Sequence, residues 1–182
     1  MTDNQYSKHL EVITKRFEEN FSSLSEAQLN WKPSSERWSI AQCMDHIIAS
    51  NLTYFPAMNE VIDGKYSIGF WQKYSPFTKS IGKGMISSLG SEVKKKMKSP
   101  KIFLPSESGF SDILKKFRNH QSDLLTVLKK IEEKDPKEVI INSPVSKLIT
   151  IPLFDAIQVI LVHEERHLHQ ALRVKNSSGF PF

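Results

Sequence analysis

The sequence predicts an all-α fold, a four-helix bundle with a long connection between its second and third helices. Apolar residues recur at spacings of three and four in four separate stretches, as they do on the buried face of a helix. Only seven glycines occur among 182 residues, which argues against a β-fold dense with tight turns. This length usually forms one domain, so we expect a single domain over residues 1–182.

The first predicted helix runs from about Asn4 to Leu24 and carries one apolar stripe. The second begins at Ser39, where Ser39 and Gln42 fit a capping box that satisfies free backbone amides. We expect Pro56 to kink this second helix and Gly64 to end it.

The third predicted helix starts near Ser111 and ends before the Asp-Pro pair at 135–136. The fourth starts near Thr150, with Pro152 tolerated in its first turn. The link between them contains runs of β-branched residues and is compatible with a short extended piece.

Basic residues are concentrated in one segment of the chain. The net charge is +5, and residues 65–101 contain nine lysines against one acid, Glu92. This segment is either a solvated flap or a lid that contacts anions over a pocket. It lacks aromatic residues interleaved with the lysines after Phe77, and no recognition helix is apparent, so we expect no nucleic-acid partner.

Nothing in the sequence indicates a membrane or an oxidising compartment. No apolar run is long enough to cross a bilayer, and the N-terminus does not resemble a signal peptide, so we expect a cytoplasmic protein without a membrane partner. Cys43 is the only cysteine, which excludes an internal disulfide and a cysteine-based zinc cluster.

Three histidines form a candidate metal site. His163 and His167 lie four residues apart, so they project from the same face of the fourth helix. His46 lies at the flank of the apolar stripe of the second helix and is the best third ligand, because bundle sites draw ligands from facing helices. Three imidazoles would leave a coordination position open, as catalytic sites do. The alternative is that these are ordinary polar or half-buried side chains.

Several neighbours are candidates for the same site. Glu164 lies near the centre of the apolar stripe, so it is a candidate catalytic base, a partner that orients a histidine, or a structural group. Arg166 and Gln170 are candidates for substrate or subunit contacts. His120 is either a core histidine or a substrate-binding group of the pocket, and His169 faces away from the metal face.

Two segments resemble a known family. ERWSIAQCMDHI and HEERHLHQALRV are similar to the entry to the second helix and to the last helix of the DinB-like superfamily of bacterial metal-binding four-helix bundles. The resemblance covers nearly the whole chain and implies a divalent metal ion, with zinc or nickel favoured, on His46, His163 and His167. The lysine-rich segment departs from the family pattern.

The resemblance implies a site more firmly than a reaction, because one fold hosts many chemistries. Relatives include transferases that use bacillithiol or mycothiol, so transfer of a low-molecular-weight thiol to a small-molecule substrate is the first hypothesis. A metal-dependent hydrolase of a small molecule is the second. A non-catalytic module that binds or senses a small molecule is the third.

The resemblance also implies a homodimer, since related bundles pair through their helices. We predict that light scattering at micromolar concentration gives twice the chain mass of 20.9 kDa. A mass equal to that of one chain would contradict this prediction.

Overall fold

The computed structural model describes residues 5–69, 78–89, 105, 110–134, 139–144 and 146–182. This part of the chain is mostly helical, with one two-stranded sheet. The elements, in chain order, are α1 (Tyr6–Phe21), α2 (Glu26–Asn30), α3 (Ile40–Leu52), α4 (Phe55–Ile62), α5 (Thr78–Leu89), α6 (Ile113–Glu132), β1 (Ile140–Ser143), β2 (Ser146–Pro152) and α7 (Leu153–Lys175).

Much of the buried core lies on α1, α3, α6 and α7, and α2, α4 and the sheet add further buried side chains. α1 and α3 each pack against both α6 and α7. The predicted apolar stripes face inward, and Phe17 of α1 meets Phe117 of α6 with ring centroids 4.6 Å apart. Both rings are almost completely buried, and burying an aromatic side chain of this size contributes roughly 1.5–3 kcal/mol to the free energy of folding.

The predicted second helix is two helices, α3 and α4. The capping box at its start is confirmed, since the Ser39 hydroxyl accepts from the Gln42 backbone amide and the Gln42 side chain accepts from the Ser39 amide. Pro56 lies in the first turn of α4. Proline lacks an amide hydrogen and its ring clashes with the carbonyl four residues earlier, so the helix breaks here instead of kinking. Gly64 follows α4 with φ +69°, a conformation that glycine adopts without strain.

The fourth helix begins later than predicted, and the all-α prediction is incomplete. Residues predicted as its first turn, including Thr150 and Pro152, belong to β2 instead. β2 pairs antiparallel with β1, and Ile141 lies opposite Ile151 with both side chains fully buried. β-Branched residues pack well on such a half-buried pleated surface, and here this packing overrides the helical pattern.

The region after α1 also differs from the prediction, whereas the start of α6 agrees with it. α1 ends at Phe21 and a separate short helix, α2, occupies part of the predicted link. α2 has its own capping box between Ser25 and Gln28, which the sequence pattern Ser-Glu-Ala-Gln could have indicated. α6 begins at Ile113, close to the predicted start.

The described part of the lysine-rich segment contains α5, which was not predicted. α5 packs against α7 and β2, and the Thr78 hydroxyl lies 2.8 Å from that of Thr150. The residues at 70–77 and 90–101 lie outside the described ranges, so the choice between a flap and a lid stays a prediction for them. No helix among the described residues has the length and apolar content needed to cross a membrane.

The contact between α5 and α7 generates a prediction about two glycines. A Cβ added at Gly82 would overlap the Asp155 carboxylate and lie 2.7 Å from Asp155 Cβ, whereas one added at Gly84 would meet nothing within 4 Å. We expect Gly82→Ala to lower the free energy of unfolding by about 1–3 kcal/mol through overpacking. Gly84→Ala should raise it by about 0.5–1 kcal/mol, because alanine favours helix.

Urea unfolding of both variants beside the wild-type protein measures the two effects. If Gly82→Ala is as stable as Gly84→Ala, the described docking of α5 on α7 is wrong.

Candidate metal centre

The three predicted metal ligands meet at one point between α3 and α7. His46 comes from the middle of α3, and His163 and His167 lie one turn apart on α7. The Nε2 atom of His163 is 3.0 Å from Nε2 of His46 and 3.0 Å from Nε2 of His167. Ligand atoms of all three histidines lie within 4.8 Å of one another. The packing of the two helices therefore produces the arrangement that the sequence predicts.

The two 3.0 Å separations fit nitrogens that share a metal ion better than nitrogens that share hydrogen bonds. Three imidazole nitrogens bound at about 2.0–2.1 Å to one ion would lie roughly 3.0–3.4 Å from each other. A hydrogen bond needs a donor and an acceptor, and His163 Nε2 can offer only one of the two roles to both neighbours. A metal ion accepts the lone pairs of all three nitrogens.

The surroundings keep His163 and His167 neutral. Burial lowers the pKa of His163 to about 3, and the neighbouring charges of His46 and Arg166 add to the effect. Burial, followed by the other two imidazoles and Arg166, holds the pKa of His167 well below its ordinary range. Because a metal ligand must be deprotonated, a site built this way offers its lone pairs at neutral pH without competition from protons.

An aromatic wall borders two of the three ligands. The Trp38 ring lies 4.8 Å from the ring of His46 and is stacked on His167 at 5.7 Å with an interplanar angle of 20°. Trp38 directly precedes Ser39, so the capping box at the start of α3 helps to fix its position. Reasoning from the sequence assigned Trp38 no role. The position of Trp38 immediately before the helix that carries His46 could have indicated that it lies near the site.

The family comparison agrees with this geometry. The model of the DinB superfamily matches residues 9–171, which include the three histidines and nearly all of the chain. The chain belongs to the DinB superfamily. No curated protein and no solved structure matches it significantly.

In this DinB-superfamily protein the residue after the first α7 ligand is buried in a polar network. Glu164 is 0% exposed, as its position on the apolar stripe predicts. Its Oε1 atom accepts from Asn51 Nδ2 at 2.7 Å and from Gln121 Nε2 at 3.1 Å. Burial raises the pKa of Glu164 to about 7, although both hydrogen bonds oppose this. Among the described residues, its Oε2 atom has no hydrogen-bond partner.

His120 lies in the same network. Its Nε2 atom is 3.2 Å from Asn51 Nδ2 and its ring stacks on Phe55. An amide nitrogen can only donate, so His120 Nε2 accepts and the ring proton lies on Nδ1. Burial lowers the pKa of His120 to about 4. These contacts agree with the prediction that His120 is a core histidine. The alternative, that His120 binds substrate, stays a prediction.

The remaining candidates lie around the triad. Arg166 and Gln170 are both partly exposed, and the Gln170 side chain partly offsets the lowering of the His167 pKa. Among the described residues, Nδ1 of His167 has no hydrogen-bond partner. His169 is also partly exposed. Cys43 is fully buried, and burial raises the pKa of its thiol to about 12, so this thiol is not reactive.

The lowered pKa of His120 predicts how stability changes with pH. The folded pKa of about 4 lies below the ordinary 6.5, so the unfolded chain binds more protons between these values. Stability from His120 is therefore present above pH 6.5 and is lost as the pH falls toward 4. The free energy of unfolding falls as the pH is lowered from neutral to about 4.5. We expect this fall to be smaller in His120→Gln than in wild type by roughly 2 kcal/mol.

Urea unfolding of the metal-free proteins at both pH values measures this difference. Equal pH dependence in His120→Gln and wild type would contradict a buried, neutral His120.

Proposed function

We propose that this chain is a four-helix-bundle metalloenzyme. It holds one divalent metal ion, zinc or nickel, on His46, His163 and His167, and it transfers a low-molecular-weight thiol to a small electrophilic substrate. The observation that carries the proposal is the convergence of three histidine ligand atoms within 4.8 Å of one another. α1, α3, α6 and α7 would be the four helices of the bundle.

The ligand set suits this chemistry. When bound, a metal ion would supply a Lewis acid that lowers the pKa of a bound thiol or water. Three neutral imidazoles add no negative charge, so the centre would keep a positive charge that favours an anionic ligand such as a thiolate. Imidazole nitrogen and thiolate sulfur are both ordinary ligands of zinc.

The chain itself does not supply the reactive thiol. Cys43 is its only cysteine, and that side chain is 0% exposed with a thiol pKa of about 12. A thiolate at this centre would therefore come from a separate thiol cofactor. Bacterial thiol cofactors carry carboxylates, and the lysine-rich segment offers cations to bind them, including the exposed Lys83 on α5.

Residues around the triad would bind and orient the reactants. Trp38 would form one wall and restrict the movement of the His46 and His167 rings, which it contacts. Gln170 would help to orient His167, and Arg166 would bind an anionic group of the substrate. For Glu164 we favour a structural role over proton transfer, because its hydrogen bonds go to Asn51 and Gln121.

The test compares His163→Ala with His169→Ala, a histidine on the same helix that is not in the triad. Elemental analysis should find one metal ion per chain in wild type and His169→Ala, and strong loss of metal in His163→Ala. Conjugation of bacillithiol or mycothiol to a test electrophile should follow the metal content. We expect a decrease of at least about 100-fold in His163→Ala, because the reaction depends on the metal.

Different outcomes separate the hypotheses. Equal conjugation in all three proteins would exclude a role of the metal in thiol transfer. Cleavage of an ester only by the metal-loaded proteins, without conjugation, would favour a hydrolase. Metal binding without either activity would favour a non-catalytic module.

A further inference from the structure

One chain of hydrogen bonds, buried except at Thr14, links α1, α3, α6 and α7 beside the candidate metal centre. The Thr14 hydroxyl of α1 lies 3.1 Å from Gln121 Oε1 of α6. The Gln121 amide donates to Glu164 of α7, and the Asn51 amide of α3 donates to the same carboxylate oxygen. Asn51, Gln121 and Glu164 are at most 3% exposed.

Two members of this network lie on the helices that carry the proposed metal ligands. Asn51 lies on α3, the helix that carries His46, and Glu164 directly follows His163 on α7. The 2.7 Å hydrogen bond between them therefore joins the same two helices that the triad joins. Gln121 makes the corresponding bond from α6, a helix that carries none of the three histidines.

The orientation of the Asn51 amide is determined by its partners. With the amide reversed, its oxygen would face the Glu164 carboxylate, and two acceptors would oppose each other. Its nitrogen instead donates one hydrogen to Glu164 and directs the other at His120 Nε2. A shift of α3 along α7 would break this pair of contacts in a place where water is excluded, so the network favours one register of the two helices.

We propose that Asn51 and Glu164 are positioning residues for the metal centre. Their hydrogen bond sets the register of α3 against α7 and thereby the separation of His46 from His163 and His167. This inference rests on the proposed metal site. It gives Glu164 a role that involves no proton transfer and no contact with the metal.

Two variants distinguish a positioning role from general stabilisation. Asn51→Leu and Gln121→Met each remove one donor to the same buried carboxylate oxygen, but only Asn51 shares a helix with a metal ligand. The probe is Co²⁺, whose visible absorption reports ligand geometry. Titration gives its Kd, and thermal unfolding of the metal-free proteins reports stability.

We expect Asn51→Leu to change the Co²⁺ spectrum and raise the Kd by about 10- to 100-fold, the range typical of residues that orient metal ligands. Gln121→Met should keep the wild-type spectrum with a Kd within a few-fold, whatever its loss of stability. Glu164→Gln retains an oxygen that accepts from both amides, so it should retain the wild-type spectrum, and Glu164→Leu should not. The two Glu164 variants provide the comparison if Asn51→Leu does not fold.

The outcomes separate this inference from the proposed function. If wild type binds Co²⁺ and the Asn51 and Gln121 variants change its spectrum and Kd equally, the positioning role is wrong and the metal site stands. An unchanged spectrum in both Asn51→Leu and Glu164→Leu would overturn the inference in the same way. If wild type binds no Co²⁺, the metal site is wrong, and the positioning role fails with it.

Discussion

The packing of α3 against α7 is the constraint on which the site depends. Every proposed ligand comes from these two helices, so their separation and register decide whether three imidazoles meet. Both helices bury apolar side chains next to the proposed ligands, including Met44 and Ile47 near His46 on α3 and Leu168 beside His167 on α7. Apolar packing tolerates small shifts more readily than hydrogen bonding does, and the Asn51–Glu164 contact adds the directional component.

Burial has opposite consequences for the two kinds of ionisable group in this interior. It lowers the pKa of His163 and His167, which keeps their lone pairs available to a metal ion. It raises the pKa of Glu164 to about 7, even though two amides donate to the carboxylate. Burying the Glu164 carboxylate at 0% exposure costs free energy of solvation. The hydrogen bonds from Asn51 and Gln121 offset part of this cost.

Helical periodicity, together with the family resemblance, predicted the three histidines of the candidate site. His163 and His167 share a face because they are four residues apart, and the apolar neighbours of His46 predicted that its side chain reaches the same interior. The burial of Glu164 followed from its place on the stripe. Periodicity does not identify partners on other helices, so the contacts of Glu164 with Asn51 and Gln121 needed the tertiary structure. The same holds for Trp38, which lies before α3 and outside any periodic pattern.

Two elements differ from the sequence-based prediction, each for its own physical reason. The start of α7 was predicted too early, near Thr150 with Pro152 in the first turn, because the pairing of β2 with β1, which places Ile151 opposite Ile141, decides the conformation of these residues. Pro56 broke a helix that the apolar pattern continued, since a missing amide outweighs favourable side-chain spacing. Local patterns report which face is buried, whereas strand pairing and helix breaks depend on contacts and backbone groups that the pattern does not contain.

X-ray absorption spectroscopy of the zinc-loaded protein measures directly which atoms bind the metal ion. A metal centre on the three histidines predicts a first shell with three imidazole nitrogens at about 2.0–2.1 Å, completed by an exogenous ligand such as water. Multiple scattering from the imidazole rings should fit three histidines in wild type and fewer in His163→Ala. A shell of carboxylate oxygens, or one with no more than one imidazole in the wild-type protein, would contradict a metal centre on His46, His163 and His167.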